Sequence, residues 1–139
     1  MTQEFSIPVR VYYEDTDAGM IVYHANYLKF CERARSDFIR ALGVDQMELL
    51  RSTGRGFVVA KMKARFVKPA RLNDELTVNC IPVKLRRVSF TFLQQVKKDG
   101  ELIFEMRSEI AYVDLESGKL QALPAEMVEA VKPYLQEDL

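Results

Sequence analysis

The sequence predicts an α+β fold: a five-stranded antiparallel sheet wrapped around one long central helix, with a short helix near the C-terminal end. Three observations carry this. One stretch, beginning near Asn26 and ending at Gly43, repeats apolar residues at three- and four-residue spacing. Five other stretches alternate apolar and polar residues with period two, or nearly so. The last four of these are joined by short turns, which makes them antiparallel neighbours. One helix with a single apolar stripe needs a sheet to cover it.

The elements follow in order. Phe5, Ile7, Val9, Val11 and Tyr13 alternate with polar or smaller partners, a half-buried strand in which Pro8 suggests an edge. Glu14 to Gly19 breaks the alternation with Asp, Thr and Gly, residues that favour turns. In the long helix Tyr27, Phe30, Cys31, Ala34, Phe38 and Ala41/Leu42 form the apolar face. Asn26 is the expected N-cap and Gly43 the stop. Arg33 and Asp37 are one turn apart and are expected to pair on the surface. Residues 44–55 are ambiguous, with a short helical turn before Gly54 and Gly56. Phe57–Phe66 reads as a strand with Ala60, Met62, Ala64 and Phe66 on one face. Glu75–Leu85 is a second, in which Pro82 marks a bulge. Ser89–Val96 and Leu102–Val113 are joined through Asp99-Gly100, a strong hairpin signal. Pro124 fits the first position of a terminal helix carrying Met127, Val128, Val131 and Leu135.

The chain of 139 residues is one domain, residues 1–139, long enough for a real core. It is 48% apolar and 29% charged, with a formal net charge of zero, which argues against nucleic acid or an anionic membrane as a bulk partner. MTQEFSIPVR shows no signal-peptide pattern, and no apolar run approaches the ~20 residues of a membrane span. Cys31 and Cys80 fall inside predicted elements. A reduced, cytoplasmic protein with buried thiols is therefore expected.

One histidine and scattered cysteines do not make a zinc site, so no metal is expected, and no cofactor-binding loop is present. No serine lies in a nucleophile-elbow pattern. What remains is an acidic loop, His24 and a helix start. A helix N-terminus presents unpaired N–H groups and a positive dipole end, and aimed at a carbonyl oxygen these form an oxyanion hole. A nearby carboxylate can attack an acyl carbon or activate water. On residues alone, Asp15 and Asp17 read equally as turn caps and His24 as a cap or interface residue. Tyr12 and Tyr13 read as packing residues, and Arg86-Arg87 as a solvated bend.

The run Y-Y-E-D-T-D-A-G-x-x-V-Y-H-A-N-Y-L-K-F-x-E-R-A-R strongly resembles the YbgC-like acyl-CoA thioesterases of the hotdog-fold superfamily, close to the 4-hydroxybenzoyl-CoA thioesterase type. The resemblance is specific over Val9–Gly43. It extends more weakly through Phe57–Val59, Pro69–Asp74 and Ala122–Pro124. It implies a long helix wrapped by a five-stranded antiparallel sheet and hydrolysis of acyl-CoA, or acyl carrier protein, thioesters to acid and thiol. Asp17 matches the family's catalytic carboxylate, acting as nucleophile or general base. Tyr13 and His24 match assisting positions, and the His24 N–H matches the amide that polarises the thioester carbonyl. Phe57, Val58 and Val59 resemble the strand segment that lines the acyl pocket, commonly from a neighbouring subunit. A homodimer or homotetramer with sites at the subunit interface is implied. The family usually has glycine after Gly19, whereas Met20 stands here, so a positive φ there would strain it and its side chain would reshape the pocket mouth. Lys61, Lys63, Arg65, Arg86 and Arg87 are candidates for a basic patch facing CoA phosphates. Two other readings stay open on this fold: a non-catalytic acyl-thioester-binding or scaffold protein of the Tol-Pal cell-envelope system, and a hydratase or dehydratase.

Overall fold

The computed structural model describes residues 3–136. Five strands form one sheet in the order β1-β3-β4-β5-β2: β1 (Phe5–Arg10), β2 (Arg55–Phe66), β3 (Glu75–Leu85), β4 (Ser89–Lys98) and β5 (Glu101–Asp114). All neighbouring pairs are antiparallel. The long helix α1 (Asn26–Ala41) packs chiefly on β1, β3 and β4. Two short helices complete the fold, α2 (Gln46–Thr53) and α3 (Ala125–Val131). This is the expected hotdog architecture, a sheet curved around one helix.

The core forms two apolar groups along α1. Near the start of the helix, Tyr27, Phe30, Cys31 and Ala34 pack with Val9, Val11, Leu76, Val78 and Phe104. Near its end, Phe38 and Ile39 pack with Phe90, Phe92, Ile110, Met127 and Val131. Ile39, not Ala41, completes the buried face, and Leu42 is half-buried. Both cysteines are buried and free.

Several local expectations hold. Pro8 lies on the edge strand β1, and the register of β3 against β4 shifts just after Pro82. Asp99 (φ 50°) and Gly100 (φ 80°) form the two-residue turn between β4 and β5, the left-handed pair such hairpins need. Others change. The first strand ends at Arg10, and Tyr13 begins a 3₁₀ turn over Tyr13–Asp15, because the Asp15 carboxylate captures the Tyr12 N–H at 2.8 Å. The helix cap is Ala25, and Asn26 is the first helical residue with its side chain turned elsewhere. Pro124 is the cap of α3 rather than its first residue. Asp37 pairs with Arg40 at 2.7 Å, while the Arg33 guanidinium sits 5.7 Å from the Phe30 ring centre. In β2 a register shift between Val59 and Lys61 puts Phe57 and Val59 on the same face as Met62, Ala64 and Phe66, and Ala60 at the bulge.

No helix among the described residues is long and apolar enough to cross a membrane.

Candidate active site

The acidic loop folds into a tight turn. Thr16 and Val22 form an antiparallel bridge, and the Asp17 N–H donates to the Ile21 carbonyl at 3.0 Å. The Met20 N–H donates back to the Asp17 carbonyl at 3.0 Å. One Asp17 carboxylate oxygen accepts the Gly19 N–H at 2.9 Å, the local bond that makes aspartate a turn residue. Met20 closes the turn with φ 61°, in the left-handed region glycine occupies without steric cost. The loop is then strapped to the segment after β2. Val22 N–H donates to the Ala70 carbonyl at 2.8 Å, Ile21 bridges Arg71, and Leu72 N–H donates to the Met20 carbonyl at 3.2 Å.

This places Asp17 and His24 on one cleft of about 300 Å³, with Tyr27, Phe66, Val67 and Lys68 among its walls. The Asp17 side chain is exposed to the cleft, and the exposed His24 ring lies between Tyr23 (4.4 Å between ring centres) and the edge-on Phe66 (6.5 Å). His24 stands two residues before α1, at the positive end of the helix. The Tyr27 hydroxyl accepts the Ala70 N–H at 3.0 Å and its ring stacks on Phe104, 4.9 Å between centres. Burial raises the Tyr27 pKa and the Asp74 charge adds to it, against the lowering effect of the Ala70 bond. Lys68 is ion-paired with Glu101 at the rim.

The two aspartates separate. Asp15 is buried with both carboxylate oxygens bonded, whereas Asp17 is exposed in the cleft. A wider groove of about 560 Å³ lies between β1 and the outer face of α1. Its walls include Arg10, paired with Glu75, and the Arg40–Asp37 pair, and they contain neither Asp17 nor His24.

Not every expected residue joins the cleft. Tyr13 is 74% exposed on the 3₁₀ turn and is not among the cleft walls. Met20 is half-exposed on the turn beside them. Phe57, Val58 and Val59 lie toward the opposite end of β2 from Phe66, about 23–30 Å away at ~3.3 Å per residue. Lys61, Lys63 and Arg65 face outward opposite Glu109, Arg107 and Glu105, with Arg65 paired to Glu105 at 3.1 Å. Arg86 and Arg87 lie in the β3–β4 turn. Tyr27, Phe66 and Lys68 escaped the sequence reading as cleft residues. Tyr27 looked like helix core and Phe66 like strand core, so neither carried a distinguishing signal.

A carboxylate, an imidazole and a helix start on an apolar-walled cleft suit chemistry in which a carbonyl is polarised and attacked. Similarity to known proteins points the same way. The family model described as Thioesterase-like superfamily matches residues 11–131. The chain is similar to the acyl-CoA thioesterase YbgC of Haemophilus influenzae, 39% identical over 123 residues, covering 88% of this chain and 90% of that protein. It is similar to the acyl-CoA thioester hydrolase YbgC of Escherichia coli O6:H1, 40% identical over 132 residues, covering 94% and 98%. Among solved structures, the probable thioesterase from Bartonella henselae superposes with a TM-score of 0.82 at 34% identity, covering 88% of this chain and all of that one. With a match spanning most of its length, the chain belongs to the thioesterase-like, hotdog-fold superfamily and is YbgC-like within it.

Proposed function

We propose that the protein hydrolyses acyl-CoA thioesters to a free acid and CoA thiol, with Asp17 as the reacting carboxylate. The observation that carries this reading is that Asp17 and His24 share one cleft at the start of α1. The acyl carbonyl points toward the N–H groups of the helix start, near His24, where its oxygen gains negative charge during attack. Asp17 either removes a proton from the attacking water or itself attacks the acyl carbon. In the second case water then cleaves the anhydride. In both, the C–S bond breaks, the thiolate takes a proton and leaves, and the carbonyl carbon ends with a new C–O bond. His24 orients the incoming group; the assisting role of Tyr13 rests on the resemblance alone, since the residue stands outside the cleft. The relatives' names support CoA as the thiol. Acyl carrier protein presents the same acyl carbon and thiol, and is a second donor for the same chemistry.

Two copies complete the site. β2 is an edge strand, and its inner face carries Val59, Met62 and Phe66 at 51%, 47% and 56% exposure. Apolar side chains along an open edge suit pairing with a second chain. Antiparallel pairing of β2 with its copy about the strand centre brings Phe57–Val59 of one chain toward Phe66 of the other, beside the Asp17 cleft. Such a dimer, or a pair of dimers, explains a lining segment that lies far from the cleft within one chain.

The test is thiol release from a panel of acyl-CoA and acyl carrier protein thioesters, comparing wild type with Asp17→Asn. Turnover in wild type and a loss of about a hundredfold or more in the variant, the scale of one acid–base group, supports the reading. Turnover untouched by the substitution moves the chemistry away from Asp17. CoA binding without turnover on any substrate favours a binding or scaffold protein.

A further inference from the structure

Asp15 and Asn26 are both buried, at 3% and 8% exposure, and they face each other across the loop that carries Asp17. The Asn26 side-chain amide donates to Asp15 Oδ1 at 3.0 Å. The other carboxylate oxygen accepts the Tyr12 N–H at 2.8 Å, and the Asp15 carbonyl accepts the Tyr23 N–H at 2.9 Å. One residue thus joins the end of the first strand region, the entry of the acidic loop and the first residue of α1.

A turn cap accounts for only part of this. The bond from Tyr12 is local and would form in an isolated turn. The bond to Asn26 spans eleven residues and closes the whole Asp17 loop at its base. Asp17 lies two residues beyond Asp15, and His24 two residues before Asn26. The separation of the two cleft residues therefore follows from where their neighbours are tied. The exposed Asp17 side chain has no comparable anchor of its own, since its bond to Gly19 stays within the turn.

We propose that Asp15 and Asn26 are positioning residues that fix the Asp17 carboxylate relative to His24. This rests on the assignment of Asp17 and His24 to the reaction. Neither Asp15 nor Asn26 reaches the thioester. The pair works because one side supplies an acceptor and the other a donor at a buried position, where a mismatched pair is costly.

The test exchanges the two chemistries. Asn26→Asp places two carboxylates face to face and removes the side-chain tie at the loop base, leaving only the backbone bonds there. The double variant Asp15→Asn/Asn26→Asp restores one donor and one acceptor with their places swapped, and keeps an acceptor for the Tyr12 N–H. Steady-state kcat and KM for an acyl-CoA that wild type turns over are measured well below each protein's Tm, with Asp17→Asn alongside. Displacement of a reacting group by about an ångström costs up to about a hundredfold. The expected result is a ten- to hundredfold loss of kcat in Asn26→Asp with KM changed far less, and recovery of most of that loss in the double variant. A purely structural role predicts a lower Tm for Asn26→Asp with kcat intact, which overturns the proposal. So does a folded double variant that recovers nothing. If Asn26→Asp does not fold, Asn26→Ala decides: reduced kcat at near-constant KM supports positioning, and unchanged kcat overturns it. Should Asp17→Asn keep wild-type turnover, the reading of the site fails and this inference falls with it. Should Asp17→Asn be inactive while the Asn26 variants keep full kcat, the inference alone fails.

Discussion

The Tyr27 hydroxyl accepts the buried Ala70 N–H at 3.0 Å, tying the first turn of α1 to a residue 43 positions further along the chain. The same residue's carbonyl accepts the Val22 N–H, so Ala70 is held from both sides by the segment that carries His24. Tyr27→Phe keeps the ring stack on Phe104 but leaves the Ala70 N–H without its acceptor. An unpaired buried donor costs about 1–3 kcal/mol. The expected outcome is a lower urea midpoint with an unchanged m-value, measured by equilibrium unfolding.

Met20 stands in the left-handed region, where a side chain costs roughly 1–2 kcal/mol. Met20→Gly removes that strain and adds roughly 0.5–1 kcal/mol of backbone entropy loss on folding. A net stabilisation of about 0.5–1 kcal/mol is expected, read as a higher Tm. On the same variant a panel of acyl-CoAs should show broader chain acceptance. An unchanged chain-length profile would mean that Met20 shapes only the turn.

Asp74 anchors the far side of the loop: it accepts the Arg71 N–H at 2.8 Å and pairs with Lys98 at 3.0 Å. Partial burial pushes its carboxyl pKa up, but the Arg71 N–H, the Lys98 ammonium and the charge of Arg71 outweigh this and hold it below its usual value. A carboxylate lowered in the folded state stabilises fully above its unfolded pKa of about 3.9 and loses that contribution as pH falls through the folded value. The Tm difference between wild type and Asp74→Asn should therefore be constant from neutral pH down to about 5 and shrink toward pH 2. A difference that stays constant into acid would remove the Asp74 carboxylate as its source.

Burial pushes the Cys31 thiol up to about 12 and the Cys80 thiol well above its ordinary value, outweighing the lowering effect of Arg35. The nucleophile in disulfide exchange is the thiolate. At pH 8 the native protein should thus leave an aromatic disulfide reagent almost unreacted, and both thiols should titrate once it is denatured. Fast reaction of either cysteine in the native protein would contradict this burial. The result also bears on the hydrolysis assay, since the released CoA thiol is followed with the same reagent.

Much of the fold was legible in short windows of sequence. The strand from Glu75 to Leu85, the Asp99-Gly100 hairpin and the stop at Gly43 stand where the local sequence places them, because each depends on neighbouring residues alone. The short helical turn expected within residues 44–55 is the eight-residue helix α2: Asp45 caps it by accepting the Met47 and Glu48 N–H groups at 3.0 and 3.1 Å, and D-Q-M-E is a capping pattern. Alternation continues past Arg10 and so places Tyr13 on the strand, whereas Tyr13 begins the 3₁₀ turn. What ends the strand is a side-chain acceptor at Asp15, which periodicity does not register.

Apolar period and turn chemistry repeat within a few residues, so they are enough to set which faces are buried and where the chain turns. The sequence also singles out the acidic loop and His24 through a resemblance that the family match supports. Long-range packing, by contrast, sets which aspartate is buried and which is exposed. Both look alike in E-D-T-D, and the difference lies in Asn26, eleven residues on, taking one carboxylate and leaving the other at the cleft. Long-range packing likewise decides that Tyr27, Phe66 and Lys68 share the cleft with Asp17. Residues so far apart in the chain meet through the packing of the sheet on α1, and no local pattern encodes that meeting.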